Sequence, residues 1–372
     1  MKHLDEYRDP DLCRGLIRRI REMAGRQRTI MEVCGGQTHG LLRWGIDEAL
    51  LGAVRMIHGP GCPVCVTPLE SIDLAIELAG RPEVIVSSFG DMLRVPGSQM
   101  SLLQARAAGG RVQIVYSPLD AVQLAVRHPE AQVVFFAVGF ETTAPATALA
   151  VRQATQLRLK NFSLLAAHVC VQPAMELLAA AKECEIEAFL AAGHVCTVVG
   201  YESYRDFVRR FRLPVVVTGF EPVDLLTGIL ECVQQLERDE PTLVNQYQRS
   251  ARSEGNIHAQ ECMQEVYEIC DRPWRGIGVV PGGGLRLREK WAAFDAERRF
   301  QRSGRTTPEP TECRSGEVLI GRIAPTECAA FGVRCTPESP LGAPMVSSEG
   351  ACAAYFRYGQ RDTSAATANE SS

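Results

Sequence analysis

The order of apolar runs predicts an α/β protein built on parallel sheets, and three observations carry that reading. Short apolar runs alternate with segments of helical period throughout residues 28–236. The runs are continuous rather than alternating, as in VVFFAV at 133–138, the pattern of strands covered on both faces. They stop at glycines, as at Cys34-Gly35-Gly36, His58-Gly59-Pro60-Gly61 and Gly139-Phe140-Glu141. The expected architecture is two similar Rossmann-like α/β units followed by a smaller α+β unit. The boundaries read as an amphipathic helix within 1–29, α/β units over 30–129 and 130–236, a helical and cysteine-bearing unit over 237–360, and a polar, disordered tail over 361–372.

Leu12, Leu16, Ile17, Ile20 and Met23 form a helix-period stripe among arginines. RTIMEV and VRMIHG read as the first two strands, joined by a helical GLLRWGIDEALLG. Thr67-Pro68-Leu69-Glu70 has the form of a capping box, opening a helix that closes at Gly80. Strands follow in EVIVSSFG, RVQIVYS, QVVFFAVGF, FSLLAAHVC, EAFLAAGH and PVVVTGF, with helices between them. Gly-Phe-Glu recurs at 139–141 and 219–221, each time after an apolar strand, and residues 130–236 read as a second α/β unit resembling the first. Residues 237–272 read as polar and helical, PWRGIGVVPGGGLRLREKW as glycine-rich, and FQRSGRTTPEPTE as an exposed loop.

A net charge of −4 gives no broad attraction to nucleic acid or anionic membrane. The N-terminus lacks the apolar core of a signal peptide, and no apolar run approaches the ~20 residues of a spanning helix, so a soluble, cytoplasmic protein is expected. Fourteen cysteines in that compartment are thiols rather than a disulfide framework. Some are then metal ligands or redox groups, the others small apolar residues.

Cys34, His39, His58, Cys62 and Cys65 are delivered at strand ends, where open α/β sheets bind ligands. Cys62-Pro63-Val64-Cys65 reads as a redox dithiol, with half a zinc site or two inert thiols as the alternative; a helix start after Cys65 should lower its thiol pKa. Cys313, Cys328, Cys335 and Cys352 form a C-x14-C-x6-C-x16-C set. Four thiolates suit tetrahedral zinc or an iron–sulfur cluster, with plain structural thiols as a third reading, and wide unequal spacing fits the cluster better. His168 and His194 stand in twin contexts, AAHVC and AAGHVC, where a core role competes with a site role. Glu141 and Glu221 follow the two Gly-Phe strand ends and are candidates for support of the site.

MEVCGGQTH, HGPGCPVC, GFETTAP, GHV, TGFEPVDLL, RGIGVVPGGGL and MVSSEGACAAY together resemble the HypD family of [NiFe]-hydrogenase maturation factors, over residues 12–358. The resemblance implies a monomeric three-domain scaffold whose third domain holds a [4Fe–4S] cluster on Cys313, Cys328, Cys335 and Cys352. It implies that Cys62 and Cys65 are a redox pair beside that cluster, similar to ferredoxin–thioredoxin reductase. It further implies that Cys34, with His39 nearby, holds the iron on which Fe(CN)2CO is assembled. The implied partners are a HypC-type small chaperone sharing the iron and a HypE-type donor of cyanide from a thiocyanate. Two positions depart from the family pattern. Gln37 stands where C-G-G-H-T-H has its first histidine, which argues against an obligatory ligand there. Pro344 stands where many members have a further cysteine, which argues against a fifth cluster ligand. A disulfide reductase and a structural zinc module are the competing readings.

Overall fold

The computed structural model describes residues 5–300 and 312–359. The loop expected within 300–312 and the tail expected over 361–372 therefore lie almost wholly outside the described residues. Among the described residues, nine strands of parallel sheet run in chain order: β1 (Arg28–Glu32), β2 (Val54–His58), β3 (Val84–Ser88), β4 (Val112–Ile114), β5 (Gln132–Gly139), β6 (Phe162–His168), β7 (Ala188–Ala192), β8 (Val215–Thr218) and β9 (Leu243–Asn245). They form two parallel sheets, ordered β2-β1-β7-β8-β9 and β4-β3-β5-β6. Continuous apolar runs bury both faces, so β3, β7 and β8 have every residue buried.

The contiguous division at 30–129 and 130–236 does not match this strand order. β1 pairs with β2 on one side and with β7 on the other, not with β3, and the chain crosses to the second sheet before β3 and returns before β7. The physical reason is that an apolar run specifies burial but not its neighbour. Counting strands within each sheet, the orders are 2-1-3-4-5 and 2-1-3-4, each with a switch point where the connection reverses. In the first sheet that point lies between β1 and β7.

The helix Pro10–Met23 starts where Asp9 accepts from the N–H groups of Asp11 and Leu12, with proline in its first turn. It packs on the helix Pro222–Arg238, burying Ile20 with Ile30, Leu225 and Ile229. Residues 237–272 are less helical than expected, holding β9, the helix Ile257–Val266 and most of β10 (Tyr267–Trp274). β10 pairs antiparallel with β11 (Gly278–Leu287), and its half-exposed face explains the polar residues that masked it. The hairpin rests on both sheets: Trp274 and Val280 join the core of the first, Tyr267 and Leu285 that of the second. Residues 312–359 carry short helical turns and the helix Ala351–Tyr358, with no strand among the described residues. No helix among the described residues is long and apolar enough to cross a membrane.

Phe189 is fully buried on β7, with the Phe207 ring edge-on at 5.5 Å. Phe189→Ala should cost about 3–5 kcal/mol in urea unfolding. Tyr116→Ala, at a position 91% exposed, should stay within about 0.5 kcal/mol. Equal effects from the two substitutions would contradict the placement of this core.

Candidate functional site

β1 carries the chain into the switch point and ends at Glu32, two residues before Cys34, whose backbone remains extended. The helix Gly35–Arg43 starts directly after Cys34, earlier than the expected helical segment. The glycines around the sulfur answer to close approach. A Cβ on Gly61 would stand 2.2 Å from the Cys34 nitrogen, and one on Gly35 would stand 2.4 Å from the Glu349 Cβ. The Gly35 N–H donates to the Gly61 carbonyl at 2.8 Å, which laces the first thiol loop to the second.

Beneath Cys34 lies a buried ionic network. The Glu32 carboxylate accepts from the Cys34 N–H at 2.7 Å and from the Thr38 hydroxyl. His58 places Nδ1 2.9 Å from Glu32 and Nε2 2.8 Å from Asp47. Burial opposes charge on that imidazole, but Asp47 and then Glu32 outweigh it and raise its pKa to about 10. Both ring nitrogens are thus engaged, and His58 is a structural cation rather than the ligand its position at a strand end suggested. Gln37 is also buried, its amide donating to the Ala191 carbonyl at 3.2 Å and to Thr218 Oγ1 at 2.6 Å. It ties the helix to the ends of β7 and β8.

The twin histidines separate. His194 lies in the first turn of the helix Gly193–Val199, after β7, and its Nδ1 stands 3.6 Å from Cys34 Sγ. Burial lowers its pKa to about 4, which keeps the imidazole neutral and able to ligate. His168 is the last residue of β6, fully buried, with Nε2 3.4 Å from Thr147 Oγ1 and its pKa lowered to about 3 by burial and Arg272. His39 turns toward the helix Ala351–Tyr358, where its Nε2 accepts from the Tyr358 hydroxyl at 3.3 Å. Glu221 precedes the helix Pro222–Arg238 and pairs with Arg8. Glu141 accepts from the Val171 N–H at 3.0 Å.

Cys62 precedes the turn Pro63–Val66 and Cys65 lies within it, and both are buried, at 3% and 1% exposure. The Cys65 pKa is held well above its usual value by burial, by a hydrogen bond with Cys62, and by the charges of Cys62, Cys352 and Glu349. The lowering expected from a following helix start is therefore reversed, because desolvation outweighs a helix dipole. The capping box expected at Thr67 is also absent: its hydroxyl donates back to the Pro63 carbonyl at 2.8 Å, and Pro68 precedes the helix Leu69–Ala79.

Cys313, Cys328, Cys335 and Cys352 line one apolar recess with Val318, Phe331 and Met345. The Leu341 N–H points at Cys335 Sγ, 3.4 Å away, and a Cβ on Gly342 would stand 2.3 Å from Cys313 Sγ. The Cys352 pKa is pushed up by burial and then by its three companions, Cys313, Cys335 and Cys328. Among the described residues no group of three or more His, Cys, Asp or Glu side chains is set to hold a metal ion. The helix bearing Cys352 packs on the helix that begins after Cys34. Glu349 packs against Gly35, and its charge is felt at both Cys34 and Cys65.

Glu32 and Glu349 were not singled out from the sequence. The available signal for Glu32 was a carboxylate inside an apolar strand, Met31-Glu32-Val33, which must find partners once buried. A histidine whose folded pKa is raised adds stability that is full below its ordinary value of 6.5 and lost as pH rises through about 10. The stability gap between the parent and His58→Gln should accordingly be widest below about pH 6.5 and close toward pH 10. Urea unfolding across that range checks it, and a gap that widens with pH would refute the charged assignment.

A family profile described as "Hydrogenase formation hypA family", HypD, matches residues 11–359. The hydrogenase maturation factor HypD of Azotobacter vinelandii is 46% identical over 370 residues, covering 97% of this chain and 98% of that protein. The hydrogenase expression/formation protein HupD of Azotobacter chroococcum mcd 1 is equally similar, at 46% identity over 370 residues with the same two shares. HypD of Escherichia coli (strain K12) is 44% identical over 373 residues, covering 98% of this chain and 100% of that protein. With its thiol-bearing strand ends and this full-length match, the chain belongs to the HypD family of hydrogenase maturation factors.

Proposed function

We propose that this chain is the scaffold on which the Fe(CN)2CO unit of a [NiFe]-hydrogenase is assembled, with the iron held as cargo by Cys34. The observation that carries the reading is the pair Cys34 Sγ and His194 Nδ1, 3.6 Å apart across the switch point of the first sheet. A soft thiolate and a neutral imidazole suit low-spin iron. Burial, Glu32 and Glu349 all hold the Cys34 proton on, so a bound cation supplies the charge that stabilises the thiolate. Glu32 meanwhile fixes the backbone that aims the sulfur.

Cys62 and Cys65 serve as a two-electron store. When they close a disulfide, they release two electrons and two protons. The electrons break the sulfur–carbon bond of a thiocyanate on the partner; that sulfur returns to a thiol with one proton, and cyanide leaves as the anion to the iron, the second proton going to solvent. The recess of Cys313, Cys328, Cys335 and Cys352 fits a [4Fe–4S] cluster by its donor set and by the Leu341 N–H directed at a sulfur. Such a cluster, when bound, supplies one-electron redox chemistry. The proposed partners remain a HypC-type chaperone and a HypE-type cyanide donor.

Infrared spectra of the complex isolated anaerobically with its small chaperone test the assignment. The native chain should show cyanide and CO stretches. Cys34→Ala should abolish them while cluster iron and sulfide stay unchanged. Cys62→Ser/Cys65→Ser should keep the cluster and lose the cyanide bands. Cyanide-bearing iron in either variant at the native level would overturn the corresponding role.

A further inference from the structure

A second chamber lies away from the Cys34 centre. It opens beyond the carboxyl ends of β5 and β6, between the helix Val171–Ala179, the helix Ile257–Val266 and the β10–β11 hairpin, and measures about 530 Å³. That size is within the range of small-molecule sites and far exceeds the roughly 30 Å³ share of one water. Its walls are largely apolar, with Val195, Val199, Met263 and Leu285 among them.

Three carboxylates line it. Glu176 pairs with Arg210 and Glu268 with Arg286, so each has its cation. Glu141 has none among the described residues. It is 7% exposed; Oε1 accepts from the Val171 N–H, and Oε2 is buried without a hydrogen-bond partner. The one lining arginine, Arg288, directs Nε to the Gln264 and Tyr267 carbonyls rather than to Glu141. A buried acceptor of this kind is costly unless a donor reaches it.

We infer that this chamber is a binding site for a small organic cation, an ammonium or guanidinium on an apolar body, with the Glu141 carboxylate as its acceptor and Val195, Val199, Met263 and Leu285 against its body. Burial also lifts the carboxyl to about 7, so a cation beside it favours the ionised form. The iron chemistry proposed above uses none of these groups, and the two readings stand or fall separately.

Isothermal titration of the full chain with benzylamine, cyclohexylamine and phenylguanidine tests the inference, with benzyl alcohol as the neutral counterpart. At least one cation should bind saturably at one per chain, and benzyl alcohol at least roughly tenfold more weakly, about 1.4 kcal/mol. Glu141→Gln keeps an acceptor for the Val171 N–H and should lose roughly tenfold or more in affinity. Met263→Trp, which narrows the chamber where the ligand body would sit while leaving Glu141 in place, should also weaken binding, with both variants melting near the parent temperature. The inference is overturned if none of the three cations binds or if benzyl alcohol binds as well as the amine. Undiminished binding to either variant overturns it too.

Discussion

One carboxylate, Glu32, sets the terms for everything around the first thiol. It is wholly buried at the end of β1, where an unpaired charge is untenable, and it meets that cost with three donors: the Cys34 N–H, the Thr38 hydroxyl and the His58 imidazole. Each donor comes from a different place in the local chain, the loop, the following helix and the end of β2. The register of the two strands, with Glu32 opposite His58, is therefore also the register of the ionic pair. Removing His58 leaves Glu32 charged and dry, and removing Glu32 leaves buried donors unpaired, so the loop is held in a single arrangement rather than a family of them.

The alternation of strands and helices was plain from the sequence, because burial on both faces leaves continuous apolar runs that helical segments do not share. Which runs become neighbours was not. Parallel pairing is decided by contacts far apart in the chain, and nothing within RTIMEV distinguishes EAFLAAGH from EVIVSSFG as a partner. The recurring Gly-Phe-Glu did mark one strand end in each sheet, after β5 and after β8, but it carried no information on where either sheet began.

The same limit governs the site. Cysteine spacing and glycine corners pointed to Cys34, Cys62 and Cys65 and to the four thiols that line one recess. His168 and His194 looked alike because their neighbours are alike. The extra glycine in AAGHVC ends β7 before the histidine and turns it into a helix beside Cys34, whereas in AAHVC the histidine completes β6 and stays in the core. His58 misled for a related reason: a histidine at a strand end is a ligand only if its nitrogens are free, and the partners that occupy them, Glu32 and Asp47, are visible only in three dimensions.

The interrupted first sheet also has a consequence for how the molecule is made. β3 to β6 are contiguous, so the second sheet has all its strands once residue 168 has left the ribosome. The first sheet cannot close until β7 to β9 follow, more than a hundred residues after β2. Long-range parallel pairing of this kind is slow. A nascent chain therefore carries Cys34 on an unfinished edge, and the pairing of Cys34 with His194 waits on a residue made 160 positions later, after every strand of the second sheet.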